Sequence, residues 1–137
     1  MAKRKNKNRK IMIIGAGGIG SFLIPLLDKT GLYDITVYDP DVVEIKNITY
    51  QNFDEEDVEK FKVKVMDDRY STVTGEPYKV LTMKQVKGFD LVVCCADNLA
   101  VRRTLYASHD INWLDLRAQG RNAALISSLE RAELYSS

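Results

Sequence analysis

Residues Ile11-Met12-Ile13-Ile14-Gly15-Ala16-Gly17-Gly18-Ile19-Gly20 run an apolar strand straight into glycines. Gly15 permits a tight turn after the strand, and Gly17 lacks the Cβ that would keep a phosphate from the backbone. Gly20 lets the following helix lie against the sheet. Amides at the start of that helix face a ligand with partial positive charge. Glycines at this spacing also occur in ordinary turns, so the flanks decide. The stretch Ser21-Phe22-Leu23-Ile24-Pro25-Leu26-Leu27 reads as a mostly apolar helix with a possible bend at Pro25 and an end at Gly31. A second strand, Ile35-Thr36-Val37-Tyr38, ends at Asp39. Gly20 and Asp39 are nineteen residues apart, the spacing at which an acid reaches a ribose hydroxyl. Together these features predict a nucleotide-binding α/β domain.

The chain has 137 residues and 45% hydrophobic content, enough for one domain with a real core. No apolar run approaches the ~20 residues that cross a bilayer, which excludes a membrane span. The amino terminus lacks the apolar segment of a secretory signal, so the expected compartment is the cytoplasm. Net charge is +1, but six of the 20 basic residues fall in Met1–Lys10, which holds no acid. Residues 1–10 are expected to form a disordered basic arm, with contact to a polyanion or to a partner subunit's site as the other reading. No aromatic residue is interleaved with those lysines, so no base-stacking platform for nucleic acid is indicated. Cys94 and Cys95 are adjacent in the apolar run Leu91–Ala96. On a strand they point to opposite faces, cannot share a metal, and read as small buried hydrophobes.

Periodicity and punctuation predict strands at Lys10–Gly15, Ile35–Asp39, Tyr78–Thr82, Phe89–Ala96 and Asn112–Leu116. A last strand, Asn122–Ser127, is expected to pair antiparallel. Helices are expected over Gly18–Thr30, Val58–Ser71 and Asn98–Ser108, the last capped by Asp97 or Asn98. Alternating strands and helices predict a Rossmann-like, doubly wound, mainly parallel sheet with helices on both faces, in strand order 3-2-1-4-5. Residues 11–137 are expected to form a single domain. Ligands of such sheets bind beyond the carboxyl ends of the strands where the order reverses. Here that point lies between the strand that leads into Gly15 and the one that ends at Asp97. A carboxylate facing a phosphate loop repels its ligand unless a cation intervenes, and magnesium is the natural intermediary. Asp97 therefore reads as a helix cap, a magnesium ligand, or both.

A nicotinamide domain would use the same glycines and Asp39. The residues beyond Asp39 separate the two chemistries. Asn47 and Gln51 stand four residues apart, on one face of a helical turn or simply within a hydrogen-bonded loop. Lys62 stands at a helix start where it could reach a β- or γ-phosphate, or it belongs to a solvated face with Lys60 and Lys64. Hydride transfer has no need of a lysine and a magnesium carboxylate around phosphates, whereas an ATP site does.

Taken in order, Gly15-Ala16-Gly17-Gly18-Ile19-Gly20, Asp39-Pro40-Asp41, Asn47-x-x-x-Gln51, Asp57-Val58 leading to Lys62, and Ala96-Asp97-Asn98 resemble the ThiF/MoeB/HesA family of adenylyltransferases, relatives of ubiquitin-activating enzymes. The resemblance runs from about Lys10 to Ser127. It implies that Gly15, Gly17, Gly18 and Gly20 hold ATP phosphates and that Asp39 binds the ribose. It further implies that Asn47, Gln51 and Lys62 grip the triphosphate and that Asp97 holds Mg2+. Lys62, Asp97 and Gln51 would then serve catalysis. In such enzymes the C-terminal carboxylate of a small ubiquitin-like carrier protein or peptide attacks the α-phosphate, and an acyl-adenylate forms as pyrophosphate leaves. A homodimer is also implied.

Two departures qualify the match. Family members usually carry arginine where this chain has Tyr50, and Arg117 or Arg121 is the candidate replacement. Members also continue into further strands, a loop that often bears a nucleophilic cysteine, and commonly a Cys-x-x-Cys zinc pair; the residues given are expected to lack that C-terminal part of the fold, which leaves a thioester step without support. The expected function is ATP- and Mg-dependent adenylation of a polypeptide carboxyl terminus. The alternatives are a catalytically degenerate ATP-binding partner subunit and an NAD(P)-binding oxidoreductase domain.

Overall fold

The computed structural model describes residues 8–80, 82–119 and 121–129. Most of the basic arm, residues 1–7, lies outside the described residues; Arg9 and Lys10 are the first residues of a strand rather than part of an arm. The elements are β1 (Arg9–Ile14), α1 (Gly20–Thr30), β2 (Tyr33–Tyr38), α2 (Lys62–Arg69), β3 (Val73–Glu76), α3 (Met83–Val86), β4 (Leu91–Cys94), α4 (Leu99–Tyr106), β5 (Trp113–Gln119) and β6 (Asn122–Ser127). Short 3-10 turns at Ile45–Asn47 and Glu55–Asp57 interrupt the connection between β2 and α2.

The six strands form one sheet in the order β3-β2-β1-β4-β5-β6. All pairs are parallel except β5 with β6. The central strand β1 is apolar on both sides because both faces of the sheet are covered. Ile11 and Ile13 join Ile35, Val37, Ile24 of α1 and Val63 and Met66 of α2 in one buried cluster. Met12 and Ile14 join Val92, Trp113, Val86 of α3 and Val101 and Leu105 of α4 in the other. The adjacent cysteines divide as their alternation predicts: Cys94 belongs to the second cluster and Cys95 packs against the first.

The third strand is corrected. It is Val73–Glu76, not Tyr78–Thr82; Tyr78 to Val80 run past the sheet edge without strand pairing. Gly75 pairs with Val37 in the sheet. The glycine is required by helix packing, since a Cβ there would meet the Val63 carbonyl oxygen of α2 at 2.2 Å. The second helix is also shorter than Val58–Ser71. Val43 N–H donates to the Lys60 carbonyl (2.8 Å), Glu59 N–H to Val43 (2.8 Å) and Lys62 N–H to Asp41 (3.0 Å). This long-range backbone pairing holds residues 58–61 outside the helix, and Lys62 becomes its first residue. Helix α3 was not anticipated. Its signal was Thr82-x-x-Gln85, whose ends cap each other.

Pro25 lies inside α1 and cannot donate to the Ser21 carbonyl one turn earlier. Asn52 replaces the missing donor: its Nδ2 donates to Ser21 O (3.1 Å), while its backbone N–H donates to Ser21 Oγ (3.0 Å). The loop that carries Gln51 is thereby fastened to α1. Among the described residues no helix is long and apolar enough to cross a membrane.

Candidate functional site

The carboxyl ends of β1, β2 and β4 open on one cleft of about 480 Å³. Gly15, Gly17, Gly18, Asp39, Lys62 and Asp97 all line it. Six of the residues singled out from the sequence therefore converge on the switch point between β1 and β4. Gly15 adopts φ 102°, and a Cβ on it would lie 2.9 Å from the Ala96 backbone nitrogen, so the turn admits glycine alone. Gly20 is buried under the loop rather than in the cleft: a Cβ there would meet the Gly15 carbonyl oxygen at 2.0 Å.

Asp39 is 8% exposed and anchors the loop. Its carboxylate accepts amide hydrogens from Ala16 (2.8 Å) and Asp41 (2.8 Å). These bonds use one lone pair on each oxygen and leave the others for a ligand at the cleft. Lys62 is 6% exposed, while Lys60 and Lys64 beside it are exposed. The reading of Lys62 as part of a solvated face is therefore wrong; the backbone bond to Asp41 turns it inward. Its ammonium makes no hydrogen bond or ion pair among the described residues.

Gln51 packs against the loop without lining the cleft: a Cβ on Gly17 would sit 3.5 Å from its Nε2. Its buried Oε1 has no hydrogen-bond partner among the described residues. Asn47 and Gln51 do share a helical turn, through Gln51 N–H to the Asn47 carbonyl (2.8 Å). The Asn47 side chain is not brought to the cleft, because its Oδ1 caps the 3-10 turn by accepting from Glu44 N–H (2.7 Å).

Asn98 caps α4, its Oδ1 accepting from Val101 N–H (3.1 Å), which leaves Asp97 free of that task. The Asp97 side chain is 99% exposed and pairs with Arg102, Nη1 to Oδ1 at 3.2 Å. Arg102 also reaches the fully buried Asp115 (3.2 Å). Asp115 is further held by Arg117 Nε (3.0 Å) and by the Tyr106 hydroxyl. Tyr106 stacks on Trp113, and burial followed by the Asp115 contact pushes its hydroxyl up to about 12. The expectation that Arg117 or Arg121 stands in for the arginine missing at Tyr50 is not met. Arg117 is held by Asp115 and Tyr106 (2.6 Å to its hydroxyl), Arg121 sits at the β5–β6 turn, and neither lines the cleft. Lys79, which sequence reasoning missed, does line it, brought there by the segment between β3 and α3.

Burial pushes Cys94 up to about 11 and Cys95 up to about 12, with the neighbouring thiol and Asp115 adding to the latter. Both remain protonated thiols at neutral pH and offer no nucleophile. No group of three or more His, Cys, Asp or Glu side chains among the described residues is placed to hold a metal by protein ligands alone. One exposed carboxylate beside a phosphate-type loop instead suits Mg2+, which binds through one or two carboxylates and phosphate oxygens. An ammonium at the cleft without an anion among the described residues is a demand that a bound nucleotide can meet.

The profile of the ThiF family matches residues 2–124. The NEDD8-activating enzyme E1 catalytic subunit of Schizosaccharomyces pombe is 34% identical over 103 residues, which cover 69% of this chain and 23% of that protein. The adenylyltransferase and sulfurtransferase UBA4 of Candida albicans is 30% identical over 115 residues, covering 72% of this chain and 25% of that protein. The chain thus spans about a quarter of the length of these curated relatives. Among solved structures, Escherichia coli MccB with MccA-N7isoASN superimposes with a TM-score of 0.78 at 25% identity, covering 88% of this chain and 39% of that one. MccB with ATP gives a TM-score of 0.72 at 26% identity, covering 81% and 38%.

Proposed function

The chain belongs to the ThiF family, and on that premise we propose that it adenylates the carboxyl terminus of a small ubiquitin-like carrier protein or peptide, using ATP and Mg2+. The observation that carries this reading is the largely buried Lys62 side chain, whose ammonium has no protein partner among the described residues, lining the same cleft as the glycine loop and Asp97. Curated relatives named as a NEDD8-activating subunit and an adenylyltransferase support it, as does MccB, whose structures hold ATP and MccA-N7isoASN.

In this reading Gly15, Gly17, Gly18 and Gly20 build the phosphate loop, with Asp39 fixing its shape through Ala16 and offering a free lone pair to the ribose. Lys62 neutralises the triphosphate and stabilises the charge that builds on departing pyrophosphate. Gln51 holds its amide against Gly17. Asn47 contributes by shaping the turn beneath Gln51. Asp97 is the metal's protein ligand, and bound Mg2+ supplies charge neutralisation at the phosphates. The carrier carboxylate attacks the α-phosphorus, the bond to pyrophosphate breaks, and an acyl-adenylate remains in the cleft. Most of the rate gain comes from positioning and charge rather than from covalent help by the protein.

Isotope exchange between pyrophosphate and ATP, measured with candidate peptides, tests the reading. Lys62→Ala and Asp97→Ala are each expected to lower exchange by about 10²- to 10³-fold while thermal unfolding stays near wild type. Undiminished exchange in both variants overturns it. One observation favours a second reading, ATP binding without turnover: among the described residues the cleft lining contains Lys62 and Lys79 but no arginine. That reading expects tight Mg-ATP binding and no exchange with any carrier. Titration with NADH excludes the oxidoreductase alternative if Mg-ATP binds and NADH does not.

The proposal includes a homodimer. Phe22 (48% exposed) and Leu26 (65%) turn an apolar side of α1 outward, beside an apolar groove of about 410 Å³ lined by Leu23, Leu27, Leu91, Leu114, Leu116 and Leu125. Exposed apolar surface of this kind is characteristic of interfaces.

A further inference from the structure

Arg102 is 12% exposed and touches two acids of opposite character. Asp115 is fully buried, while Asp97 is 99% exposed at the cleft. The buried acid is not held by Arg102 alone, although Arg102 Nε reaches both of its oxygens (3.3 Å to Oδ1, 3.2 Å to Oδ2). Arg117 (Nε to Oδ2, 3.0 Å) and the Tyr106 hydroxyl also hold the Asp115 carboxylate, both at Oδ2. Asp97 has no such second partner. Its neighbour Asn98 performs the helix cap, and among the described residues Arg102 is its one polar contact. The guanidinium is therefore anchored at the Asp115 end, and its free edge serves Asp97.

We propose that Arg102 is a positioning residue that holds Asp97 at the cleft rim and screens its charge from an arriving triphosphate. This inference rests on the adenylyltransferase reading above and adds to it a residue outside the cleft lining. A triphosphate without metal brings about four negative charges toward Asp97, and an uncompensated carboxylate there repels it. With Arg102 at 3.2 Å, the rim is close to neutral before the metal arrives. When a cation takes the carboxylate, Arg102 stays charge-paired through Asp115 and remains in place. A rim built in this way accepts both the metal-free and the metal-bound nucleotide, and Asp97 keeps one orientation in each.

The test is calorimetric titration with ATP in EDTA and with Mg-ATP, on wild type, Arg102→Ala, Asp97→Asn and the double variant. Arg102→Ala is expected to weaken metal-free ATP about three- to tenfold at low salt. The loss shrinks as salt is raised, because Asp97 is exposed and screened. Asp97→Asn in the same background restores the affinity, since no charge is left to screen. A merely structural role for Arg102 gives equal weakening with and without Asp97→Asn, together with a salt-independent loss. Either that pattern, or affinity of Arg102→Ala within about twofold of wild type, overturns the proposal. Arg102→Gln, which keeps the stem packed, carries the same comparison if Arg102→Ala does not fold. Failure of wild type to bind ATP in either form overturns the nucleotide reading and takes this inference with it. Normal ATP binding with no dependence on Arg102 removes this inference alone.

Discussion

Asp39 accepts two main-chain amide hydrogens, from Ala16 and Asp41. Asp39→Asn sets an amide donor against one of those N–H groups, and stability is expected to fall by about 1–3 kcal/mol. Urea unfolding checks this, and weaker ATP binding should accompany it because the loop loses its anchor. The two thiols make a pH prediction. Their folded values, about 11 for Cys94 and about 12 for Cys95, lie above the ordinary 9.0. The folded state thus holds these protons more tightly than the unfolded state, so the stability linked to them is fully present below pH 9.0 and is lost as pH rises through 11 to 12. Urea midpoints are expected to fall over that window, less steeply in a Cys94→Ala/Cys95→Ala protein. At this scale the sequence marked Asp39, Lys62 and Asp97 by residue type and spacing. It left Lys62 open between phosphate binding and a solvated face, because burial at that position is set by the backbone bond to Asp41, twenty-one residues away.

Between elements, the fastening of α1 to the Gln51 loop turns on a proline. Asn52→Ala leaves the Ser21 carbonyl without the donor that Pro25 cannot supply, with an expected loss of about 1–3 kcal/mol. In a Pro25→Ala background residue 25 regains its N–H and serves that carbonyl, so the same Asn52→Ala change is expected to lose less. A double-mutant cycle in urea measures the difference. The α2–β3 contact is equally specific. Gly75→Ala places a Cβ 2.2 Å from the Val63 carbonyl oxygen and is expected to destabilise by about 1–3 kcal/mol or more. By shifting α2 it should also weaken ATP binding through Lys62. Helix and strand identities were largely legible from periodicity. The third strand was not: at Val73–Glu76 it is short and contains a glycine required by packing, features that in sequence look like a turn.

For the molecule as a whole, the sheet is covered by α1 and α2 on one side and by α3 and α4 on the other, but the half of the α1 side formed by β4, β5 and β6 keeps an open apolar groove. The proposed homodimer predicts that wild type sediments as a dimer and that Leu26→Glu with Leu125→Glu sediments as a monomer with unchanged far-ultraviolet circular dichroism. Leu26 and Leu125 are 65% and 59% exposed, so the charges should not unfold the protomer. A monomeric wild type assigns that face to something other than a second copy.

The sequence by itself determined the architecture and the place of the site. An apolar strand running into glycines, followed by alternating helices and strands, allows few arrangements besides a doubly wound parallel sheet, whose order reverses between β1 and β4. The tertiary structure alone decided which side chains meet there. Lys62 turned in while Lys60 and Lys64 stayed out, Asn47 was kept for a turn, Arg117 was taken by Asp115, and Lys79 and Arg102 came into play. Local pattern fixes backbone state through short-range sterics and hydrogen bonding. The direction and pairing of a charged side chain depend on which of several competing partners the folded backbone brings within reach, whether two residues away, as Asp115 is from Arg117, or twenty-one, as Asp41 is from Lys62.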